Sequence, residues 1–354
     1  MISIQNRITA FAKLGDFLSQ FSNEGIIKKD NIEYNEIFFD VFKHQIKLSE
    51  EKNSWFTKDN LLFTLNTWSK SLNNNNLENF IKNSVISETF SSKKVAIILA
   101  GNVPLVGFHD FLSVLISGHS VLVKQSSNDK HLLPFIAKYL EHVEEGFKGK
   151  ITFTEEKLSD FDAVIATGSD NTARYFEYYF KNKPNIIRKS RNSVAVLTGK
   201  ETEDDLIKLS DDVFQYFGLG CRSVSKIYVP KGYNFDAFFT GMYAKRDIIN
   251  NAKYANNYDY NKAVYLMSEF DLLENGFLMI KEDESYSSPI ATVFYEYYDN
   301  EIDLKIKLYQ DKEKIQCIVA KDFIENEVAF GQTQHPKLTD FADGVNTLEF
   351  LSNL

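Results

Sequence analysis

An α/β fold is what this 354-residue chain predicts, with a helical region first, then a domain built on a parallel sheet, then a second α/β region. Three observations lead there. From Lys93 onward, short runs of β-branched and aliphatic residues alternate with stretches of helical periodicity, the pattern of a parallel sheet with crossover helices. Ahead of that point the apolar residues recur at helical spacing. The length suits about two domains, each able to bury its own core.

Composition narrows the class. Hydrophobic residues at 44% and charged residues at 25% are close to the globular average, which excludes a disordered or fibrous chain. A formal net charge of -9 argues against a nucleic-acid binder, which needs a basic face to displace counterions from phosphates. The aromatic excess, 30 Phe and 18 Tyr, reads as core and interface packing. Cys221 and Cys317 lie far apart with no Cys-x-x-Cys pair, so neither a disulfide framework nor a zinc-thiolate site is expected, and a reducing, cytoplasmic setting fits. His109 and Asp110 are adjacent and face apart on a helix, with no other ligand cluster in view, so no metal site is expected.

In chain order, residues 1–85 read as helices at Ile8 to Phe21, Tyr34 to Leu48 and Lys58 to Leu72, the last ending in a loop at Asn73 to Asn76. The N-terminal stretch interleaves apolar residues with Gln5, Arg7, Lys13 and Asp16, which fits an amphipathic helix packed on its own protein rather than a signal peptide. A parallel-sheet domain over 86–198 follows. Its strands are Val95 to Ala100, Ser120 to Lys124, Ile151 to Thr154 and Ala163 to Thr167, with helices at Leu105 to Ile116 and Leu132 to Val143. Asn102, Pro104, His109 and Asp110 interrupt the apolar region Val95 to Gly118, so it is not a membrane span. Runs at Asn185 to Lys189 and Val194 to Thr198 close this domain. A second α/β domain covers 199–320: a helix from Thr202 to Phe217, then strands at Lys226 to Val229, Ile290 to Tyr295 and Ile315 to Val319. The segment 321–354 is rich in turn residues, ends in a short helix and is expected to return to the first domain.

Ligands of open parallel sheets gather at the carboxyl ends of the strands. Three such ends carry unusual residues. Ala100-Gly101-Asn102-Val103-Pro104 brings an amide, Val123-Lys124-Gln125-Ser126-Ser127 brings a cation followed by hydroxyls, and Ala166-Thr167-Gly168-Ser169 runs through a glycine into a helix whose N–H groups favour phosphate. Each alone also reads as a turn or an N-cap, and a strict G-x-G-x-x-G is absent. In the second domain, Phe217-Gly218-Leu219-Gly220-Cys221-Arg222-Ser223 sets a cysteine between a glycine-rich turn and a strand. Cys221 reads as a nucleophile, with Arg222 able to lower its pKa if the guanidinium points to the sulfur; the bland alternative is a buried structural cysteine. Cys317, inside a strand, belongs to the core.

Taken together with Ile98 to Pro104 and with Phe330-Gly331-Gln332-Thr333-Gln334-His335 through Asp343 to Thr347, these motifs resemble the acyl-CoA reductase family, the fatty acid reductase component of bacterial luciferase operons, over roughly residues 60–354. That family belongs to the aldehyde dehydrogenase superfamily. The resemblance implies an aldehyde dehydrogenase-like fold, a Rossmann-like cofactor domain joined to an α/β catalytic domain. It implies Cys221 as the nucleophile and Asn102 as the oxyanion amide. Lys124 would sit at the adenosine ribose or its 2′-phosphate and Gly168 with Ser169 at the pyrophosphate, with Ser126, Ser127 and Thr167 completing the cofactor-binding set. Ser127 stands where hydrolytic relatives place a ribose-binding glutamate; without that carboxylate a 2′-phosphate is not repelled, which favours NADPH.

Two further departures matter. Residues 184–192, where hydrolytic members carry the water-activating glutamate, contain no acidic residue, and near Pro289 a nicotinamide-ribose glutamate gives way to Ser285 and Tyr286. The implied activity is NADPH-dependent reduction of an acyl thioester, a fatty acyl-CoA or acyl carrier, to an aldehyde. A homo-oligomer is expected, with an acyl-activating enzyme as a partner. The rivals are a reductase or dehydrogenase of a short acyl or semialdehyde substrate, and a catalytically silent dehydrogenase-like scaffold.

Overall fold

The computed structural model describes residues 2–82, 84 and 91–354. The expected boundary between 85 and 86 lies outside the described residues. Two compact units are formed, Met1–Lys189 with Lys337–Leu354, and Ser190–Pro336.

The first unit begins with α1 (Ile4–Leu18), capped by Ser3, whose hydroxyl accepts the Asn6 N–H. Its buried residues Ile8, Phe11, Leu14 and Leu18 follow helical spacing and define the packed face. A short antiparallel hairpin, β1 (Phe21–Ser22) with β2 (Gly25–Ile26), leads to α2 (Asn35–Lys52), α3 (Lys58–Ser71) and α4 (Asn74–Ile81). The core here is aromatic: Phe17 packs on Phe42 at 5.6 Å and on Tyr139 at 4.6 Å between ring centroids. The asparagine run expected as a loop is instead the start of α4. Asn73 is its N-cap, accepting the Asn76 N–H at 2.9 Å, and the cap offsets the weak helix propensity of the asparagines that follow.

Next come β3 (Lys94–Ile98), α5 (Phe108–Ile116), β4 (Ser120–Lys124), α6 (Leu132–Val143), β5 (Ile151–Phe153), β6 (Ala163–Thr167), α7 (Asp170–Phe180) and β7 (Asn185–Arg188). The five strands form one parallel sheet in the order β5-β4-β3-β6-β7. The first strand is central and later strands add to either side, so the order reverses at β3 and opens a crevice at its carboxyl end. The helix expected from Leu105 starts only at Phe108, because Leu105 is left-handed (φ 55°) and its N–H is held by Asp129.

The second unit contains β8 (Asn192–Val196), α8 (Glu203–Phe214), β9 (Val224–Pro230), α9 (Phe235–Met242), α10 (Ala252–Met267), β10 (Leu273–Glu274), β11 (Met279–Glu282), β12 (Thr292–Tyr298), α11 (Glu301–Gln310) and β13 (Ile315–Val319). Its sheet runs β10-β11-β12-β9-β8-β13, parallel except for β10. The run expected at Val194 to Thr198 is β8, hydrogen-bonded to β9 and β13 in this sheet. Strand β12 begins at Thr292 rather than Ile290, after the left-handed Ala291 (φ 63°). The returning segment ends in α12 (Thr347–Ser352), whose Leu348 and Leu351 are buried in the first unit's core. Among the described residues no helix is long and apolar enough to cross a membrane.

Candidate active site

At the carboxyl edge of the first unit's sheet, register brings the three singled-out strand ends side by side. Ile98 pairs with Lys124 on β4 and with Ala166 on β6. The Leu99 N–H reaches the Lys124 carbonyl at 3.0 Å. Asn102, Ser127 and Ser169 are exposed there, while Lys124, Ser126, Thr167 and Gly168 are half-buried. A Cβ at Gly101 would lie 2.4 Å from the Ser126 Oγ, so the loops after β3 and β4 touch through that missing side chain. Gly168 plays the same part at the next exit: a Cβ there would come within 2.9 Å of the Thr172 side chain on α7. Ser169 caps α7, its hydroxyl 3.0 Å from that of Thr172. The Lys124 ammonium donates to the Glu156 carbonyl at 3.0 Å.

Within the loop after β4 lies the half-buried Asp129, which no sequence motif marks. Its carboxylate accepts the Leu105 N–H at 2.8 Å, and burial raises it to about 6 against the opposing pull of that hydrogen bond. His109 and Asp110 diverge as expected for neighbours on α5: His109 Nε2 meets the Leu338 carbonyl at 2.8 Å, and Asp110 pairs with Arg188 at 2.8 Å. Among the described residues no group of three or more His, Cys, Asp or Glu side chains is placed to hold a metal ion.

In the second unit, Cys221 is exposed and is not a core cysteine. The helix expected to reach Phe217, α8, stops at Phe214 because Tyr216 (φ 56°), Phe217 (φ 59°) and Gly218 (φ 76°) are consecutively left-handed. The chain then closes a turn through the Ser223 N–H to the Gly220 carbonyl (3.0 Å), leaving Cys221 and Arg222 as its two central residues, with β9 starting at once.

That turn is tied on every residue. Ser193 of β8 donates its hydroxyl to the Cys221 carbonyl at 2.9 Å. Arg222 Nε donates to the Thr333 carbonyl, and Gln334 Nε2 lies 3.4 Å from the Ser223 Oγ. Asp212 of α8 in turn accepts the N–H groups of Gly331 (2.6 Å) and Thr333 (2.9 Å), and burial lifts its carboxyl to about 6. Gly331 fits because its φ is 78° and a side chain would press on Lys208. Cys317 is half-buried rather than fully enclosed, its sulfur 3.0 Å from the Ser193 Oγ; burial pushes its thiol up.

Ser193, Asp212 and Asp129 belong to no motif that sequence alone singles out. Only Asp212 carries a signal there, since it falls three residues after Leu209 on the apolar stripe of its helix. Tyr286, noted near the expected nicotinamide-ribose position, turns into the second unit's core, bonded to the hydroxyl of Tyr228 at 3.1 Å and to Asp311 at 2.8 Å. In residues 184–192 the arginine side chain Arg188 is buried in the first unit on Asp110.

A parallel sheet of this strand order, followed by a second, mainly parallel sheet in which a central strand issues from an exposed cysteine turn, defines the class: the aldehyde dehydrogenase fold. The structure is similar to the aldehyde dehydrogenase KauB of Pseudomonas aeruginosa, with a TM-score of 0.66 over 90% of this chain and 72% of that one at 12% identity. It is similar also to aldehyde dehydrogenase 21 of Physcomitrella patens in complex with succinate (TM-score 0.65, 12% identity, 92% and 75% covered). A third is the indole-3-acetaldehyde dehydrogenase AldA of P. syringae, solved as a cysteine variant with NAD+ and IAA (TM-score 0.64, 12% identity, 92% and 73% covered). Identities this low speak for a shared fold alone. No protein of curated function matches the sequence. The sequence profile of the acyl-CoA reductase (LuxC) family matches residues 39–245, more than half of the chain, and the protein belongs to that family.

Proposed function

We propose that the protein reduces a fatty acyl thioester, acyl-CoA in the first instance, to the aldehyde with NADPH, through an acyl-enzyme on Cys221. The observation that carries this reading is the exposed Cys221 at the centre of a turn held residue by residue, in a chain of the acyl-CoA reductase family. The Cys221 thiolate attacks the thioester carbonyl; the carbon–sulfur bond to the carrier breaks, and the carrier leaves as a thiolate that takes up a proton. Asn102 is assigned the oxyanion amide on the resemblance, a role worth about 2.7–4 kcal/mol in transition-state stabilisation. NADPH, when bound, would supply the hydride to the acyl carbon; the carbon–sulfur bond to Cys221 breaks, the aldehyde leaves, and Cys221 is returned as the thiolate.

The donor set at the carboxyl edge of the first sheet suits that cofactor. Lys124 is followed by two serine hydroxyls with no carboxylate among residues 124–127, a charge balance that favours a 2′-phosphate. Thr167, Gly168 and Ser169 lead into the N-terminus of α7, which suits a pyrophosphate. Hydrolysis is disfavoured because residues 184–192 offer no carboxylate to activate water.

Incubation with acyl-CoA alone is expected to add the acyl mass to the peptide containing Cys221, and NADPH with a graded series of acyl-CoAs to give aldehyde. Cys221→Ala loses both, and aldehyde formation by that variant would sink the assignment. Turnover confined to short acyl or semialdehyde substrates would replace the fatty acyl assignment with the short-chain one.

A further inference from the structure

Behind the cysteine turn stands a carboxylate that the proposed reaction does not use. Asp212, 1% exposed, grips one short stretch of chain by two amides, those of Gly331 and Thr333. The same Thr333 presents its carbonyl to the Nε of Arg222, the residue that follows Cys221. One residue of the 330–334 segment is therefore held from both sides: its N–H by a buried anion, its carbonyl by the cation next to the nucleophile. Gln334 adds a contact to Ser223 on the far side of the turn. Gly331 lets the segment lie against α8, where a Cβ would meet that of Lys208 at 3.1 Å. The charges of Arg222 and Asp212 also act in opposite senses on the Cys317 thiol, which shares Ser193 with the Cys221 carbonyl.

We propose that Asp212 is a positioning residue for Cys221: through Thr333 it fixes the Arg222 guanidinium, and with it the turn that offers the thiol to an acyl carbonyl. The proposal deepens the assignment of Cys221 as the acylated nucleophile and rests on it. An ionised carboxylate can accept two N–H groups at once. An asparagine in its place accepts one and turns an NH2 toward the other, so the segment must shift and the Thr333 carbonyl leaves Arg222. Once that contact is lost, the Arg222 side chain no longer ties the turn to the 330–334 segment, and the residue before it, Cys221, loses the fixed geometry in which it is exposed.

The test is alkylation of Cys221 by iodoacetamide at neutral pH, resolved from Cys317 by peptide mass, alongside steady-state kinetics with acyl-CoA and NADPH. Asp212→Asn is expected to slow alkylation about tenfold, because the turn that offers the thiol is no longer held in one geometry. It is expected to lower kcat by a similar factor with the KM for NADPH unchanged, a split that a general loss of folding does not produce. Arg222→Met is expected to do the same, and the double variant to be no slower than the slower single, because both act through one contact. Two single effects that multiply in the double variant would overturn the relay. So would an Arg222→Met variant that alkylates at the wild-type rate, whether or not Asp212→Asn folds. If the wild type takes no acyl group from acyl-CoA while the single and double variants still share one effect on alkylation, the catalytic assignment of Cys221 fails and the positioning stands. Acyl labelling of Cys221 with independent effects of the two variants means the opposite: the nucleophile is right and Asp212 does not position it.

Discussion

Replacing Arg188 with methionine would remove the most deeply buried ion pair among the described residues of the first unit and leave its partner stranded. Arg188 is 5% exposed and Asp110 is 7% exposed. The guanidinium meets Asp110 through Nη2 at 2.8 Å and Nε at 3.4 Å, a two-point contact. It also donates to the Ala342 carbonyl at 2.8 Å and the Thr347 hydroxyl at 3.0 Å, both on the returning C-terminal segment. Methionine keeps much of the apolar stem, so little hydrophobic contact is lost; the cost is a carboxylate held away from water with no cation, about 3–5 kcal/mol. Both tryptophans, Trp55 and Trp68, belong to the first unit, so their fluorescence through a urea titration reports this loss directly. Amide exchange over residues 342–351 is expected to rise with it. Asp110→Asn added to Arg188→Met removes the closer and more buried of the two carboxylates that Arg188 faces, Asp343 lying 3.9 Å from Nη1, and is expected to recover at least about 2 kcal/mol. A single variant within about 1 kcal/mol of wild type, or a double variant equal to the sum of its singles, would refute the reasoning.

Two further outcomes follow from the loops at the sheet edge. Asp129 is raised by burial from the ordinary 3.8 to about 6, so between those values the folded chain holds a proton that the unfolded chain has released. Its contribution is a penalty, fully present above about pH 6 and fading as pH falls toward 3.8, on the order of 2–3 kcal/mol. Asp129→Asn keeps an acceptor for the Leu105 N–H and abolishes the titration. Its first-unit stability, relative to wild type, is expected to be greatest near pH 8 and to shrink toward about pH 4, and parallel urea curves across that range would contradict this. Gly101→Ala drives a Cβ into Ser126 and, at 3.1 Å, against the Cβ of Asn128. An overpacking cost of about 1–3 kcal/mol is expected in the same titration, with at least half regained on adding Ser126→Gly; no cost at all would show that the two loops do not meet.

What the sequence made legible was whatever a local pattern encodes. The apolar runs of β3, β4 and β6 and the glycine–cysteine turn ahead of β9 are written in adjacent residues; β4 and β6 keep their expected bounds, while β3, expected over Val95 to Ala100, spans Lys94–Ile98. Helix α10 left no stripe to find, with only Tyr254 and Tyr258 buried along its 16 residues. The end of α8 was hidden for another reason: the left-handed pair Tyr216 and Phe217 is a conformation that aromatic side chains rarely adopt and that no propensity announces. Asp212 and the amides it holds are 119 and 121 positions apart, a separation at which periodicity carries no information. Its place on an apolar stripe was the one trace left in the sequence, since a buried carboxylate needs partners from somewhere.

An acyl-enzyme that is to be reduced must outlast water, and on the proposed reaction residues 184–192 matter because they offer no carboxylate. Arg188 sits in that stretch with its side chain committed to Asp110 and to the C-terminal segment. Its carbonyl accepts the Gly168 N–H at 3.2 Å, at the turn assigned to the cofactor pyrophosphate. A residue tied at both ends in this way holds the Gly168 turn and the returning chain together and has no group that can take a proton from water, because a guanidinium stays charged throughout the working range. On the proposed reaction, an arginine at this point in place of a base lowers hydrolysis and steadies the cofactor turn at once. An acid introduced beside it, as in Lys189→Glu, would add a carboxylate without disturbing the Asp110 pair, at the expense of the exposed Lys189–Glu177 ion pair at 2.8 Å. Release of free fatty acid from acyl-CoA without NADPH is expected to rise in that variant, and a rate equal to that of wild type would separate the stretch from the fate of the acyl group.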